Sequence, residues 1–255
     1  GYENLPILDG SAVDHAGDPS HNNIIYELDV SGSIYFSQQI SQGFSTAGGA
    51  RSAAFGEDTK ALGASSHSEG ISTNARGRGS HSEGLFTDAS GTESHSEGQS
   101  TIAYGNWSHA EGKQTTTRGE WAHSEGNLTD ASGIYSHAEG IQTTARGEGA
   151  HSEGNFTDAS GAYSHSEGSS TNATGISSHA EGTATNARSQ GAHSEGNTTD
   201  ASGDWSHAEG QQTLANTTAA HAEGLGTKAY GVYSHTEGVS SEAWGQFSHA
   251  TGEYT

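Results

Sequence analysis

A strict fourteen-residue period constrains this chain more than any other feature. From His67 to His249 a histidine recurs at every fourteenth position, with no insertion or deletion. In most repeats the histidine belongs to SHAEG, as at 108–112, or to SHSEG, as at 66–70. An unbroken period of this length predicts a solenoid, in which each repeat forms one coil and neighbouring coils stack on each other.

The composition by itself points to a different class of protein. The chain has 255 residues, 29% of them hydrophobic, a formal net charge of −22 and a mean hydropathy of −0.73. These values are typical of disordered chains, which bury too little apolar area to fold. The period overrides this reading, because a disordered chain has no reason to keep a constant spacing.

The charge and residue inventory exclude several function classes. With 31 acidic and 9 basic residues, the chain has no basic patch for nucleic acid or for an anionic membrane surface. No apolar run approaches the length of a membrane span, so no membrane insertion is expected. There is no cysteine, hence no disulfide or thiol chemistry, and no cofactor is expected.

Each repeat contains two short segments that end in glycine. One reads T-x-A-x-G, as in TNARG (73–77), and the other is SHAEG or SHSEG. Segments of about five residues separated by glycine favour short strands and tight turns. We therefore predict coils of two strands and two turns that pair in parallel, about 4.8 Å apart, giving a stack of about 65 Å.

Alternation along a strand assigns the two faces. In T-x-A-x-G the Thr and Ala share the inner face, which argues against an ice-binding use of the threonine row at positions 73, 87, 101, 115, 129, 143, 157, 171, 185, 199, 213 and 227. In SHAEG the Ser and Ala point inward, and His and Glu point outward. The outward residues vary in the first segment but are nearly constant in the second, which predicts that the second outer face is buried against another copy of the chain.

The first repeat supports a buried contact. Residues 52–56 read SAAFG and align with SHSEG, so Ala53 and Phe55 occupy the His and Glu positions. Phenylalanine suits a buried contact between subunits and not a solvent-exposed face. Ala53 and Phe55 are therefore predicted to form an apolar layer at the axis of the assembly.

The period and SAAFG resemble the head domains of trimeric autotransporter adhesins, whose repeats carry a motif similar to S-V-A-I-G. This resemblance implies an all-β fold for residues 45–255: a left-handed parallel β-roll solenoid, packed as a homotrimer around a three-fold axis. The SHAEG-type repeats also look like those of phage tail-fibre and appendage proteins. By this resemblance the residues at the trimer axis are His67, Glu69, His81, Glu83, His95, Glu97, His109, Glu111, His123, Glu125, His137, Glu139, His151, Glu153, His165, Glu167, His179, Glu181, His193, Glu195, His207, Glu209, His221, Glu223, His235, Glu237 and His249.

Two arrangements of these side chains are open. In the first, His and Glu rings are tied together by hydrogen bonds within a layer or between chains. A His with a Glu partner would have a raised pKa, so stability would peak in mildly acidic to neutral conditions. In the alternative, three symmetry-related histidines bind zinc or nickel; the first arrangement is favoured, and no metal is expected.

Aromatic residues precede many of the SHxEG segments and form a candidate ligand edge, which we call the aromatic edge: Trp107, Trp121, Tyr135, Tyr163, Trp205, Tyr233 and Phe247. Aromatic rings along a rod can stack on glycan rings, or they can pack across the seam between chains. The second role is favoured.

Residues 1–44 lie outside the period and are predicted to be a β-rich cap or an assembly segment that joins chains end to end in a filament. Their most apolar segments are 5–8, 23–30 and 32–36. No enzyme is expected, because no candidate catalytic residue is unique. The expected function is a structural or adhesive fibre, extracellular, at a cell surface or on a virion; a glycan- or receptor-binding module and a metal-binding rod are the alternatives.

Overall fold

The computed structural model describes residues 40–41 and 45–255, and this part of the chain is a parallel β-solenoid with about fourteen residues per turn. The described residues contain strands and turns but no helix. The three apolar segments predicted at 5–8, 23–30 and 32–36, and the cap or filament joint that they would form, lie outside the described residues.

Each coil contributes a long strand to one sheet and a short strand to another. The long-strand sheet has sixteen strands: β1 (Ile40–Ser41), β3 (Ala53–Glu57), β5 (His67–Ile71), β7 (His81–Leu85), β9 (His95–Gln99), β11 (His109–Lys113), β13 (His123–Asn127), β15 (His137–Ile141), β17 (His151–Asn155), β19 (His165–Ser169), β21 (His179–Thr183), β23 (His193–Asn197), β25 (His207–Gln211), β27 (His221–Leu225), β29 (His235–Val239) and β31 (His249–Glu253).

The short-strand sheet has fifteen strands of two residues each: β2 (Thr46–Ala47), β4 (Lys60–Ala61), β6 (Asn74–Ala75), β8 (Asp88–Ala89), β10 (Ile102–Ala103), β12 (Thr116–Thr117), β14 (Asp130–Ala131), β16 (Thr144–Ala145), β18 (Asp158–Ala159), β20 (Asn172–Ala173), β22 (Asn186–Ala187), β24 (Asp200–Ala201), β26 (Leu214–Ala215), β28 (Lys228–Ala229) and β30 (Glu242–Ala243).

The strand register superimposes equivalent residues of successive coils. His109 pairs with His95 on one side and His123 on the other, and Glu111 pairs with Glu97 and Glu125. The step is fourteen residues throughout, except that Ile40 pairs with Ala53, thirteen residues on. The predicted parallel stacking of two-strand coils is therefore confirmed, although only two residues of T-x-A-x-G, the second and the third, form a strand.

The interior is thin and is built from small side chains, as the alternation predicted. Ser68, Thr73 and Ala75 of one coil are each 0% exposed, and Thr is the largest side chain that is fully buried among the described residues. All twelve threonines of the predicted inner row are at most 2% exposed. The row thus belongs to the core, which removes it from any surface role.

The turns place non-glycine residues in the left-handed region. Ser72 has φ 54° and lies in the turn that follows the long strand β5. Trp107 also has φ 54° and lies in the turn that follows the short strand β10. Both positions are the second residue after a glycine. The sequence pattern assigned the turns to the glycines. In the structure, many of the left-handed φ angles belong to the variable residue that stands two positions after a glycine.

Candidate functional site

The candidate site is the outer face of the long-strand sheet, called here the His/Glu face. It consists of the outward-pointing His and Glu of each long strand, as predicted from the alternation. In β11 the His109 side chain is 37% exposed and that of Glu111 is 45% exposed. In the single chain this face is therefore half-buried and uniform from coil to coil.

The imidazole rings of the His/Glu face form one continuous stack. From His81 to His235, successive ring centroids are 4.6–4.9 Å apart and the planes are within 17° of parallel. The stack changes at both ends: His67 is at 78° to His81, and His249 is at 29° to His235. Parallel pairing in register dictates this stacking, because each His lies directly above its equivalent.

Within one chain, His and Glu approach without forming regular hydrogen bonds. The His67 Nε2 to Glu69 Oε2 distance is 3.4 Å, within hydrogen-bonding range, but ten other pairs on the same face lie at 3.7–4.0 Å. Within residues 45–255, twelve histidines have an Nε2 atom that is shielded from solvent and has no hydrogen-bond partner: His81, His95, His109, His123, His137, His151, His165, His179, His193, His207, His221 and His235.

The stack lowers the pKa of several histidines, which corrects the expectation of raised values. Burial is the largest cause and neighbouring histidines add to it, and together they outweigh the glutamates; the pKa of His109 falls to about 4. The direction is the same for His81, His137, His151, His179, His207 and His221. The expected rise required a Glu partner for each His, and in the single chain burial and the imidazoles above and below lower the pKa instead.

Ala53 and Phe55 continue the His/Glu face into the preceding coil. Both are half-buried, and Phe55 pairs in register with Glu69. The Phe55 ring lies 5.8 Å from the ring of His67. The apolar layer predicted at these two residues is thus next to the first His of the stack; whether it lies on a three-fold axis stays a prediction.

The aromatic edge is exposed in the single chain, with side chains from 40% exposed at Trp107 to 70% exposed at Phe247. The Trp107 and Trp121 rings stack with centroids 4.5 Å apart and planes at 7°. Gly191 interrupts this row in the sequence, but the Trp205 ring occupies the space beside it, since a Cβ on Gly191 would meet that ring at 2.2 Å. The Trp205 ring therefore lies over the glycine of the preceding coil.

No protein-family model matches this chain, and neither does any curated protein. The likeness to adhesin heads and tail-fibre repeats therefore rests on the repeat pattern alone. Among the described residues there is no helix with the length and apolar character needed to span a membrane.

Cross-coil ion pairs on the short-strand sheet were missed by the sequence reasoning. Arg146 Nη1 lies 2.5 Å from Asp158 Oδ2, and Arg188 Nη2 lies 2.9 Å from Asp200 Oδ2. The same contact joins Arg76 to Asp88 and Arg118 to Asp130. A signal existed, since in each case the arginine of ARG, TRG or ARS is followed twelve residues later by the Asp of TDASG. These pairs join neighbouring coils through arginine side chains that are about half exposed, so each contributes little to stability.

Four groups on the His/Glu face bring three metal-binding side chains together, each within one chain. In each group one His, the Glu two residues later and the His of the next coil have ligand atoms within 4.8 Å of one another. The groups are His95, Glu97 and His109; His109, Glu111 and His123; His221, Glu223 and His235; and His235, Glu237 and His249.

Proposed function

We propose that this chain is a non-enzymatic structural rod that assembles through the His/Glu face into a homotrimer of left-handed coils around a three-fold axis. The observation that carries the proposal is the contrast between the two outer faces. Outward residues of the short strands differ between neighbouring coils, for example Ile102, Thr116 and Asp130, whereas those of the long strands repeat His and Glu. Constancy on one face only is expected where that face meets an identical surface.

The unsatisfied nitrogens give the assembly a physical reason. Twelve Nε2 atoms on the His/Glu face are shielded from water without a partner. A shielded polar atom without a hydrogen bond costs roughly 1–3 kcal/mol, so a contact that supplies acceptors is favoured. Glutamates of a neighbouring chain are such acceptors. Because every coil presents the same unit, the contact extends over the whole stack.

The setting of the rod is part of the same proposal. The resemblance to adhesin heads and tail fibres supports an extracellular fibre at a cell surface or on a virion. A role for residues 1–44 in joining rods end to end belongs to it as well. The repeated residues offer no unique nucleophile or acid–base group, which supports a structural and not an enzymatic role.

The oligomeric state tests the proposal. Multi-angle light scattering on the full chain is expected to give three times 26.1 kDa. The double variant His165→Arg/His179→Arg places like charges on the His/Glu face and is expected to reduce the mass to that of one chain. The matched control Asn172→Arg/Asn186→Arg changes outward residues of the same coils on the other sheet and is expected to keep the trimer.

Circular dichroism on all three proteins checks that the coils remain folded. A wild-type mass of one chain, or a folded face variant that keeps the wild-type mass, would refute assembly through this face. Loss of the trimer in the control as well would mean that arginine disrupts assembly wherever it is placed, and the proposed face would lose its support.

A second candidate function is glycan or receptor binding by the aromatic edge, favoured by the exposed, parallel rings of Trp107 and Trp121. Exposed aromatic rings can contact the apolar faces of sugar rings. Tryptophan fluorescence titrated with oligosaccharides tests it, with Trp107→Ala/Trp121→Ala expected to abolish the response. The control Trp244→Ala removes an exposed tryptophan outside this row and is expected to leave it intact. Equal responses from both variants would exclude the edge.

A further inference from the structure

We propose that His235, Glu237 and His249 form a binding site for a divalent transition-metal ion of the Zn²⁺ type. All three ligands belong to one chain and to two successive coils, β29 and β31. A single chain therefore supplies all three ligands, and the site goes beyond the rod function. It differs from a ring of three symmetry-related histidines, which needs three chains.

The spacing of the ligand atoms is close to that of a coordination shell. The three atoms lie within 4.8 Å of one another. Zinc binds imidazole nitrogen at about 2.0–2.1 Å, which places the ligands of a tetrahedral site roughly 3.4 Å apart. Side-chain rotations that bring the atoms together by up to about 1.4 Å would allow all three to bind one ion. Two nitrogens and one carboxylate oxygen leave a fourth position for water.

Ring orientation selects this group among the four. In a parallel stack the in-plane lone pairs of neighbouring rings run side by side and cannot converge on one ion. The rings are parallel within 6° in the pairs His95–His109, His109–His123 and His221–His235. Those of His235 and His249 are already tilted by 29°. His249 is also exposed, so its ring can turn further.

The carboxylate of this group is oriented by a residue that departs from the repeat. Thr251 stands where the preceding repeats carry Glu, and its Oγ1 donates a hydrogen bond of 2.8 Å to Glu237 Oε1. The other oxygen, Oε2, lies 3.8 Å from His235 Nε2. A metal-binding carboxylate held through its second oxygen is a common arrangement, since the outer partner fixes the direction of the ligand.

The nitrogen of His235 supplies a further argument for a ligand. Its Nε2 is shielded from solvent and has no hydrogen-bond partner among the described residues. A bound cation would accept its lone pair and would neutralise the adjacent carboxylate. Imidazole nitrogen suits zinc, nickel, cobalt and copper, whereas calcium and magnesium prefer oxygen ligands, so the donor set predicts the metal class.

Titration of the full chain with zinc chloride by isothermal calorimetry tests the site, with Co²⁺ absorption as a report on ligand geometry. We expect zinc binding at micromolar concentration and visible Co²⁺ bands typical of a four-coordinate site. His249→Gln and Glu237→Gln are expected to remove this binding. Thr251→Val, which keeps all three ligands, is expected to weaken it by about 10-fold or more while preserving the Co²⁺ bands.

The control is His179→Gln/Glu181→Gln, which removes a His–Glu pair from the middle of the stack and outside all four groups. It is expected to bind zinc like the wild type. Three results would each overturn the proposal. They are no heat of binding at roughly 100 µM zinc, zinc binding by His249→Gln that equals the wild type, and calcium that competes as well as zinc. Light scattering with and without zinc separates this result from the assembly proposal, because binding within one chain requires no change of mass.

Discussion

At the residue scale, the choice between Ser and Ala in the middle of SHSEG and SHAEG decides whether a core hydroxyl is satisfied. In seven coils with Ser at this place, four SHSEG and three AHSEG, the serine forms a hydrogen bond with the Thr five residues later, as Ser124 Oγ does with Thr129 Oγ1 at 2.6 Å. In four coils with Ala at this place the Thr hydroxyl is buried without a partner: Thr115, Thr143, Thr185 and Thr213. The two motifs are equivalent in shape but not in hydrogen bonding.

Ala138→Ser is therefore expected to stabilise the chain by about 1 kcal/mol, because the new hydroxyl reaches the unpaired Thr143 Oγ1. The neighbouring coils carry this pair already, with Ser152 Oγ 2.7 Å from Thr157 Oγ1. Urea unfolding measures the difference, as an increase in the midpoint at unchanged slope.

Ala222→Ser is the matched control for this prediction. Its Thr227 already donates to the carbonyl oxygen of Glu223 at 3.1 Å, so an added serine has no unpaired hydroxyl to satisfy. Equal stabilisation by both substitutions would show that the hydroxyl pair is not the cause.

At the element scale, each long strand depends on the glycine of SHAEG. Gly140 has φ 115°, which disfavours L side chains, and a Cβ there would meet the carbonyl oxygen of Gly154 at 2.1 Å. The obstacle is backbone of the next coil, which cannot move aside without breaking the parallel pairing of β15 and β17. This glycine is required both by its own conformation and by the close approach of the coils.

Gly140→Ala is expected to destabilise the stack by several kcal/mol, since an overpacked contact and a strained φ act together, at roughly 1–3 kcal/mol each. The loss should appear as a lower melting temperature, measured by circular dichroism. The affected strands β15 and β17 are also expected to lose hydrogen-exchange protection before more distant coils, because each coil contacts mainly its neighbours.

Gly226→Ser is the comparison for that prediction. Gly226 also has positive φ, 68°, but the nearest atom to a Cβ there is Ser240 Oγ at 3.4 Å, and Ser240 itself has φ 52°. Serine is thus already accommodated one coil later, and a small effect is expected. Comparable losses at the two sites would show that backbone contact between coils is not decisive.

At the scale of the whole molecule, the histidine stack makes stability depend on pH. Because the pKa of several stacked histidines is lowered on folding, the folded chain binds fewer protons than the unfolded chain. Their stabilising contribution is complete above the ordinary pKa of 6.5 and is lost as the pH falls towards the folded value, about 4 for His109. Acidification is therefore expected to destabilise the folded chain.

The melting temperature is expected to be highest near neutral pH and to fall by on the order of 5 °C between pH 6.5 and pH 4.5, as measured by scanning calorimetry. The variant His81→Gln/His109→Gln/His137→Gln removes three of the groups with lowered pKa and is expected to show a shallower fall. A melting temperature that rises on acidification would instead support dominant pairing of protonated His with Glu.

The sequence by itself determined the period, the two-strand coil, the parallel stacking and the inward direction of Ser68, Thr73 and Ala75. These features follow from alternation and constant spacing, which are local properties of a chain. The tertiary structure decided the lowered pKa of His109, the unpaired hydroxyl of Thr143 and the ion pair of Arg146 with Asp158. Each of these depends on the distance between atoms of different strands, which a repeat pattern implies for the backbone but does not specify for side chains. The physical reason is that burial and neighbouring charges set the energy of a polar group, and both arise only when one coil lies on the next.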